Sequence, residues 1–147
     1  MPLTDFVRKG TLHHRATADG DIATLVKEAN QQLSIASTLK AGDPGRDEYA
    51  YGGIVKLATA LLAAAGYHAS HKTEDADLFV AIKRLMPDQK EFAAVAEQWR
   101  KRRAMVAKKK SWPVEPGEAD AQLEHAWMFR TAAMDWMRHH RPEVAGV

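Results

Sequence analysis

The sequence predicts an all-α protein, an antiparallel bundle of four long helices and one shorter one. Apolar residues recur at steps of three and four along five segments, the period of one helix face. Those segments are separated by Gly- and Pro-containing breaks. No run of β-branched or aromatic residues alternates with polar ones, as a half-buried strand requires. The 147 residues suit a single domain, with 46% hydrophobic and 27% charged residues, the balance of a folded globular chain. That balance excludes disorder and collagen-like sequence. The absence of Cys excludes a disulfide scaffold, a thiol nucleophile and a thiolate metal site.

Residues 1–18 show no clear period and are read as an N-terminal arm. The bundle is expected over residues 19–141, with 142–147 as a C-terminal tail. The first helix, residues 19–40, carries Ile22, Leu25, Val26, Ala29, Leu33 and Ala36 on one face. Asp19 or Asp21 is a suitable N-cap. AGDPGR, residues 41–46, stops it. A second helix over 47–65 is rich in Ala and Leu and apolar nearly all round beyond Gly53, which predicts burial among several neighbours. Gly66 is its stop signal. The pair Gly52–Gly53 costs a helix interior about 1 kcal/mol per residue, so close contact with another helix is expected there.

A loop over 67–72 leads to a third helix, 73–86, acidic in its first turn and basic in its last, as the helix dipole favours. Pro87 ends it. Asp88-Gln89-Lys90-Glu91 has the form of a capping box, opening a fourth helix to about Lys109. SWPVEPG breaks the chain, and a fifth helix runs over 117–139 with Leu123, Ala126, Trp127, Arg130, Met134 and Met137 along one face. Pro142 closes it. The longest apolar stretch, Leu57 to Ala65, contains Thr59 and is too short to span a bilayer. With no apolar signal core at the N-terminus, a cytoplasmic location away from membranes is the expectation.

The charge is uneven. The net charge is +2, and RKRRAMVAKKK (residues 100–110) supplies +7 of it, leaving −5 on the rest. Such asymmetry points to anionic partners. On the fourth helix the apolar positions are Phe92, Val95, Ala96 and Trp99, then Val106. The next inward position after Trp99 is 102 or 103, and both are Arg. An inward guanidinium needs a partner or a wet cleft. Lys108, Lys109 and Lys110 extend the basic surface, either as a solvated helix end or as part of an anion-binding stripe. Trp112 follows, and an aromatic beside a basic stripe is the composition of a single-strand binding surface. Packing of its ring over the helix end is the competing reading. Tyr49 and Tyr51 could line a cleft with the Arg pair, though nothing in the sequence brings them together.

This layout resembles the HEPN domain family, helical domains of prokaryotic toxins and of nucleotidyltransferase partners. The resemblance covers roughly residues 20–140. It is carried by an early helix like EANQQLSIASTL and an Ala/Leu-rich helix, YGGIVKLATALLAAAG. The last two helices lie in WRKRRAMVAKKKSWPVEPGEADAQLEHAWMFRTAAMDW. The family's motif is an Arg, a polar residue and, after an interval of four to six residues, a His. Two such sites face each other across a homodimer, and in the nucleases they support metal-independent RNA cleavage by the ribose 2′-hydroxyl. Carried over, the Arg falls on Arg102 or Arg103. Ala107, Lys108, Lys109 and Lys110 stand where the His would fall. A His exchanges a proton near neutrality, whereas a Lys keeps its proton and stabilises charge only.

The resemblance therefore implies a non-catalytic binding or interaction module. Its polyanion-binding residues are Arg100, Arg102, Arg103, Lys108, Lys109, Lys110 and Trp112. Its partners are RNA or another polyanion, a second copy, or a nucleotidyltransferase or antitoxin protein. The alternative is a divergent, toxin-like endoribonuclease using Arg102 or Arg103 with Lys108 in place of the His. No cofactor is expected. A metal site is not expected either, because His68 and His71 offer two ligands where three or four must converge. No segment has phosphate-loop spacing.

Overall fold

A computed structural model describes residues 3–40, 42–70, 75–109 and 116–145, apart from the side chains of 90, 105–109, 116, 118 and 145. Among these residues the fold is mostly helical, with one two-stranded sheet. The order is α1 (Thr4–Arg8), β1 (Leu12–His14), α2 (Asp19–Thr38), α3 (Pro44–Ala64), β2 (Tyr67–Ala69) and α4 (Asp75–Leu85). A 3-10 turn (Pro87–Gln89), α5 (Lys90–Lys109), α6 (Pro116–His140) and α7 (Pro142–Ala145) complete it.

α3 is the central element and packs against α2, α4, α6 and β2. Its burial follows its composition: Ile54, Leu57, Ala58, Ala60, Leu61 and Leu62 are all buried, while Val55, Lys56 and Thr59 are half-buried. It begins three residues earlier than the composition of AGDPGR suggests. Asp43 caps it, its Oδ1 accepting from the Gly45 N–H at 2.8 Å, and Pro44 occupies the first turn. Proline is suited to that place because its fixed φ is helical and it has no N–H to leave unpaired. Asp19 and Asp21 are not caps. The N-cap of α2 is Ala18, and both acids lie in the first turn, where the dipole favours them.

α2 and α3 lie antiparallel and close. A Cβ on Gly53 would stand 2.7 Å from Leu33 Cδ2 and 2.9 Å from its Cγ, so only glycine fits without a shift. Gly53→Ala sets about 1–3 kcal/mol of overpacking against about 1 kcal/mol of helix propensity. The expected net loss is about 1 kcal/mol in urea unfolding. Gly20→Ala in α2, where a Cβ meets nothing within 4 Å, is expected to lose none. Unchanged stability in Gly53→Ala would show that the buried Leu33 can move aside.

The two strands are the departure from an all-helical reading. Gly66, at φ +94°, lets the chain leave α3 and enter β2. β2 then pairs antiparallel with β1, placing Leu12 opposite Ala69, His13 opposite His68 and His14 opposite Tyr67. The segment read as an arm carries α1 and β1 and contributes Leu3, Phe6 and Leu12 to the core. Beyond α6, Pro142 opens the four-residue α7 and Val144 is buried. Arg141, between them, donates to the carbonyls of Ala64 (3.3 Å) and Thr17 (3.4 Å) and pairs with Asp19, joining three chain segments.

α5 is held by aromatic contacts. Phe92 stacks on Phe129 of α6 with centroids 3.8 Å apart and meets Phe79 of α4 edge-on. Trp99 is 2% exposed. These contacts place the C-terminal half of α5 beside the first turns of α3.

Candidate functional site

The basic stripe of α5 divides into parts with different surroundings. Arg103 takes the inward position one turn after Trp99. Its Nη1 donates to Asp47 Oδ2 at 2.8 Å, its Nη2 lies 3.0 Å from Glu48 Oε1, and its guanidinium covers the Tyr51 ring at 4.4 Å. Asp47 Oδ1 accepts from Trp99 Nε1 at 2.6 Å. Tyr51 meets Trp99 and Phe79 edge-on and donates its hydroxyl to Asp75 Oδ2 at 2.6 Å. Two pairs one turn apart, Asp47/Tyr51 on α3 and Trp99/Arg103 on α5, thus interlock.

This arrangement explains how a guanidinium interrupts an apolar face. Burial alone would lower the Arg103 pKa, but hydrogen bonds and charge from Glu48 and Asp47 outweigh it and raise the value. The charge therefore stays and is neutralised where it sits. Burial also pushes the Tyr51 phenol well above the usual tyrosine range. Asp75 adds to the rise, while the Arg103 and Arg100 charges oppose it.

Arg100 lies at the edge of the same cluster. Glu97 grips it through Nε at 3.1 Å and Nη2 at 2.5 Å. Those hydrogen bonds from Arg100 hold the Glu97 carboxyl below its ordinary range, against the opposing effect of burial. Lys101 and Arg102 are exposed on the outer side of α5. Lys108 and Lys109 continue the helix two turns beyond them, as backbone positions. Lys110 and Trp112 lie outside the described residues. Tyr51 meets Arg103, whereas Tyr49 is 42% exposed.

Asp47, Glu48 and Asp75 were not singled out by their sequence pattern. Asp47 read there only as the start of the second helix, and Asp75 only as one of the acids in the first turn of the third. The spacing of Asp47 from Tyr51 matches that of Trp99 from Arg103, but nothing local says that the two turns face each other.

Among the described residues, no three His, Asp or Glu side chains converge as metal ligands, and no helix is long and apolar enough to cross a membrane. His13 and His68 are cross-strand neighbours on exposed positions. His71 and Glu74 lie outside the described residues. A shallow groove along α2 is lined by Lys27, Asn30, Gln31, Ser34 and Ile35, none of them from the basic stripe.

The class defined by fold and site is therefore a mostly helical bundle whose fifth helix carries a cation-rich C-terminal half, one arginine being neutralised from α3. Comparison with protein-family models, with curated proteins and with solved structures gave no match.

Proposed function

We propose that this chain is a HEPN-like, homodimeric and non-catalytic binding module of the cytoplasm. In this reading it engages RNA, or another polyanion of the same charge density, along the outer side of α5. The observation that supports it best is the segregation of charge on that helix. Lys101 and Arg102 are exposed, Lys108 and Lys109 follow two turns on, and Asp47, Glu48 and Glu97 are engaged by Arg103 and Arg100. A phosphate backbone tracks such a stripe without base-specific contacts. A nucleotidyltransferase or antitoxin protein would be the protein partner that the resemblance implies.

The ribonuclease alternative has less support. Arg103, the inward arginine, is held by two carboxylates, and no His occupies residues 107–110 to exchange a proton. An electrophile for the 2′-hydroxyl attack would have to displace those acids first.

Titration of the full chain against labelled single-stranded RNA at two salt concentrations tests the proposal. Each phosphate neutralised contributes about −0.7 to the slope of log affinity against log salt. Micromolar binding with a slope of several units and intact RNA is expected. Arg102→Ala should weaken binding and flatten the slope. Absence of binding at low salt overturns the reading, and RNA cleavage abolished by Arg103→Ala establishes the nuclease instead.

A further inference from the structure

We propose that His13 and His68, paired across the β1–β2 ribbon, bind a divalent transition-metal ion of the zinc, nickel or copper type through one imidazole nitrogen each. The ribbon follows the C-terminus of α3, whereas the basic stripe meets the first turns of that helix. The site is therefore independent of the polyanion-binding reading of α5.

The two histidines lie 55 positions apart, and only the sheet joins them. The Arg15 N–H donates to the Gly66 carbonyl and the Ser70 N–H to that of Thr11. Antiparallel bonds alternate every second residue, so His13 and His68 form the hydrogen-bonded pair between those two. In such a pair the Cα atoms stand about 5.5 Å apart and the Cβ atoms about 5 Å. Opposed residues project from the same side of the ribbon. Leu12 and Tyr67, on one side, are buried, while His13 and His68, on the other, are exposed. Two nitrogens on one tetrahedral ion, each at about 2.0–2.1 Å, stand about 3.3 Å from each other. Rings rooted about 5 Å apart reach that spacing when each leans in by about 1 Å. Arg15, next on that side, stands opposite Gly66, which leaves its long side chain room to turn from the charge of the ion.

Imidazole nitrogen suits zinc, nickel and copper. With two protein ligands the remaining positions go to water, so the ion exchanges readily, unlike one in a closed four-ligand site. Other described histidines are placed differently. His14 shares the side of Tyr67, its ring centroid 5.1 Å from that ring. His139 and His140 have Nδ1 2.8 Å from backbone carbonyls one turn back, and as helix neighbours they do not face each other.

Because the pair exists only in the folded chain, an ion held by both residues stabilises the fold. An ion held by a single histidine binds folded and unfolded chains alike and does not. The full chain, free of any affinity tag, is titrated with Zn²⁺ by calorimetry at about pH 8, since ligation needs neutral imidazole. Urea unfolding is followed with and without the ion. One bound equivalent and a higher urea midpoint are expected. His13→Ala and His68→Ala, both at exposed positions, should each bind about tenfold or more weakly, no less than the loss of an outer partner of a metal ligand costs. Both should also lose the midpoint shift, whereas His139→Ala, the control, keeps affinity and shift. Unfolding without metal checks that each variant is folded. Paramagnetic resonance of bound Cu²⁺ should report two imidazole nitrogens in wild type and one in either variant. Affinity and shift retained by His13→Ala or His68→Ala would overturn the site. So would Zn²⁺ binding that leaves the wild-type midpoint unchanged, or no binding at all.

Discussion

Asp47→Ala is expected to destabilise the protein by about 3 kcal/mol, because one carboxylate serves two buried donors. Its loss leaves the Trp99 indole N–H without its acceptor and leaves half of the Arg103 guanidinium without a counter-charge. An orphaned buried donor costs about 1–3 kcal/mol, and breaking a buried ion pair costs about 3–5 kcal/mol. Arg103 retains Glu48 and partial solvent, which moderates the total. For a chain of this size the midpoint of thermal unfolding falls by roughly 10 °C. Asp47→Asn keeps an oxygen for Trp99 and should recover about half of the loss. The paired variant Asp47→Ala/Arg103→Met removes both charges and should lie closer to wild type than Asp47→Ala does. Urea unfolding of the four proteins checks this. Equal stability of Asp47→Ala and wild type would mean that the α3–α5 contact contributes little.

Tyr51 makes stability sensitive to alkali. Its folded-state pKa is raised, first by burial and then by Asp75, above the ordinary value of 10.0 that the unfolded chain retains. A raised pKa contributes stability that is fully present below the unfolded value and is lost as pH climbs beyond it. Above pH 10 the unfolded phenol ionises while the folded one keeps its proton, so stability falls by about 1.4 kcal/mol per pH unit. Tyr51→Phe removes the hydrogen bond to Asp75 and should cost about 2 kcal/mol at pH 7. It also lacks this titration, so its deficit against wild type should shrink above pH 10 and vanish near pH 11.5, by roughly the same arithmetic. A deficit constant from pH 7 to 11.5 would show that Tyr51 ionises as easily folded as unfolded.

The helices were legible because their signals are local. The 3.6-residue period, the acidic first turns and the Gly and Pro stops each involve neighbours within a turn or two. Thus α2, α3, α5 and α6 fall within a few residues of the expected spans, and a close helix contact at Gly52–Gly53 was predictable from its helical context, though not that α2 makes it. The three-residue strands carried no such signal. Backbone hydrogen bonds join them, and those are indifferent to residue type, so LHH and YHA look like loop. The same holds for α1, too short to show a period, whose Leu3 and Phe6 find their place only against the finished core.

The candidate site divides in the same way. By itself the sequence determined that seven cations cluster over residues 100–110 and that an arginine at 102 or 103 breaks an apolar face. Only the tertiary structure decided that Arg103 is the inward one, that Asp47, Glu48 and Tyr51 receive it, and that Arg102 faces outward. The physical reason is range. Charge density and helical period are properties of adjacent residues, whereas the partner of Arg103 lies 56 positions away and is chosen by how α3 and α5 pack around Trp99.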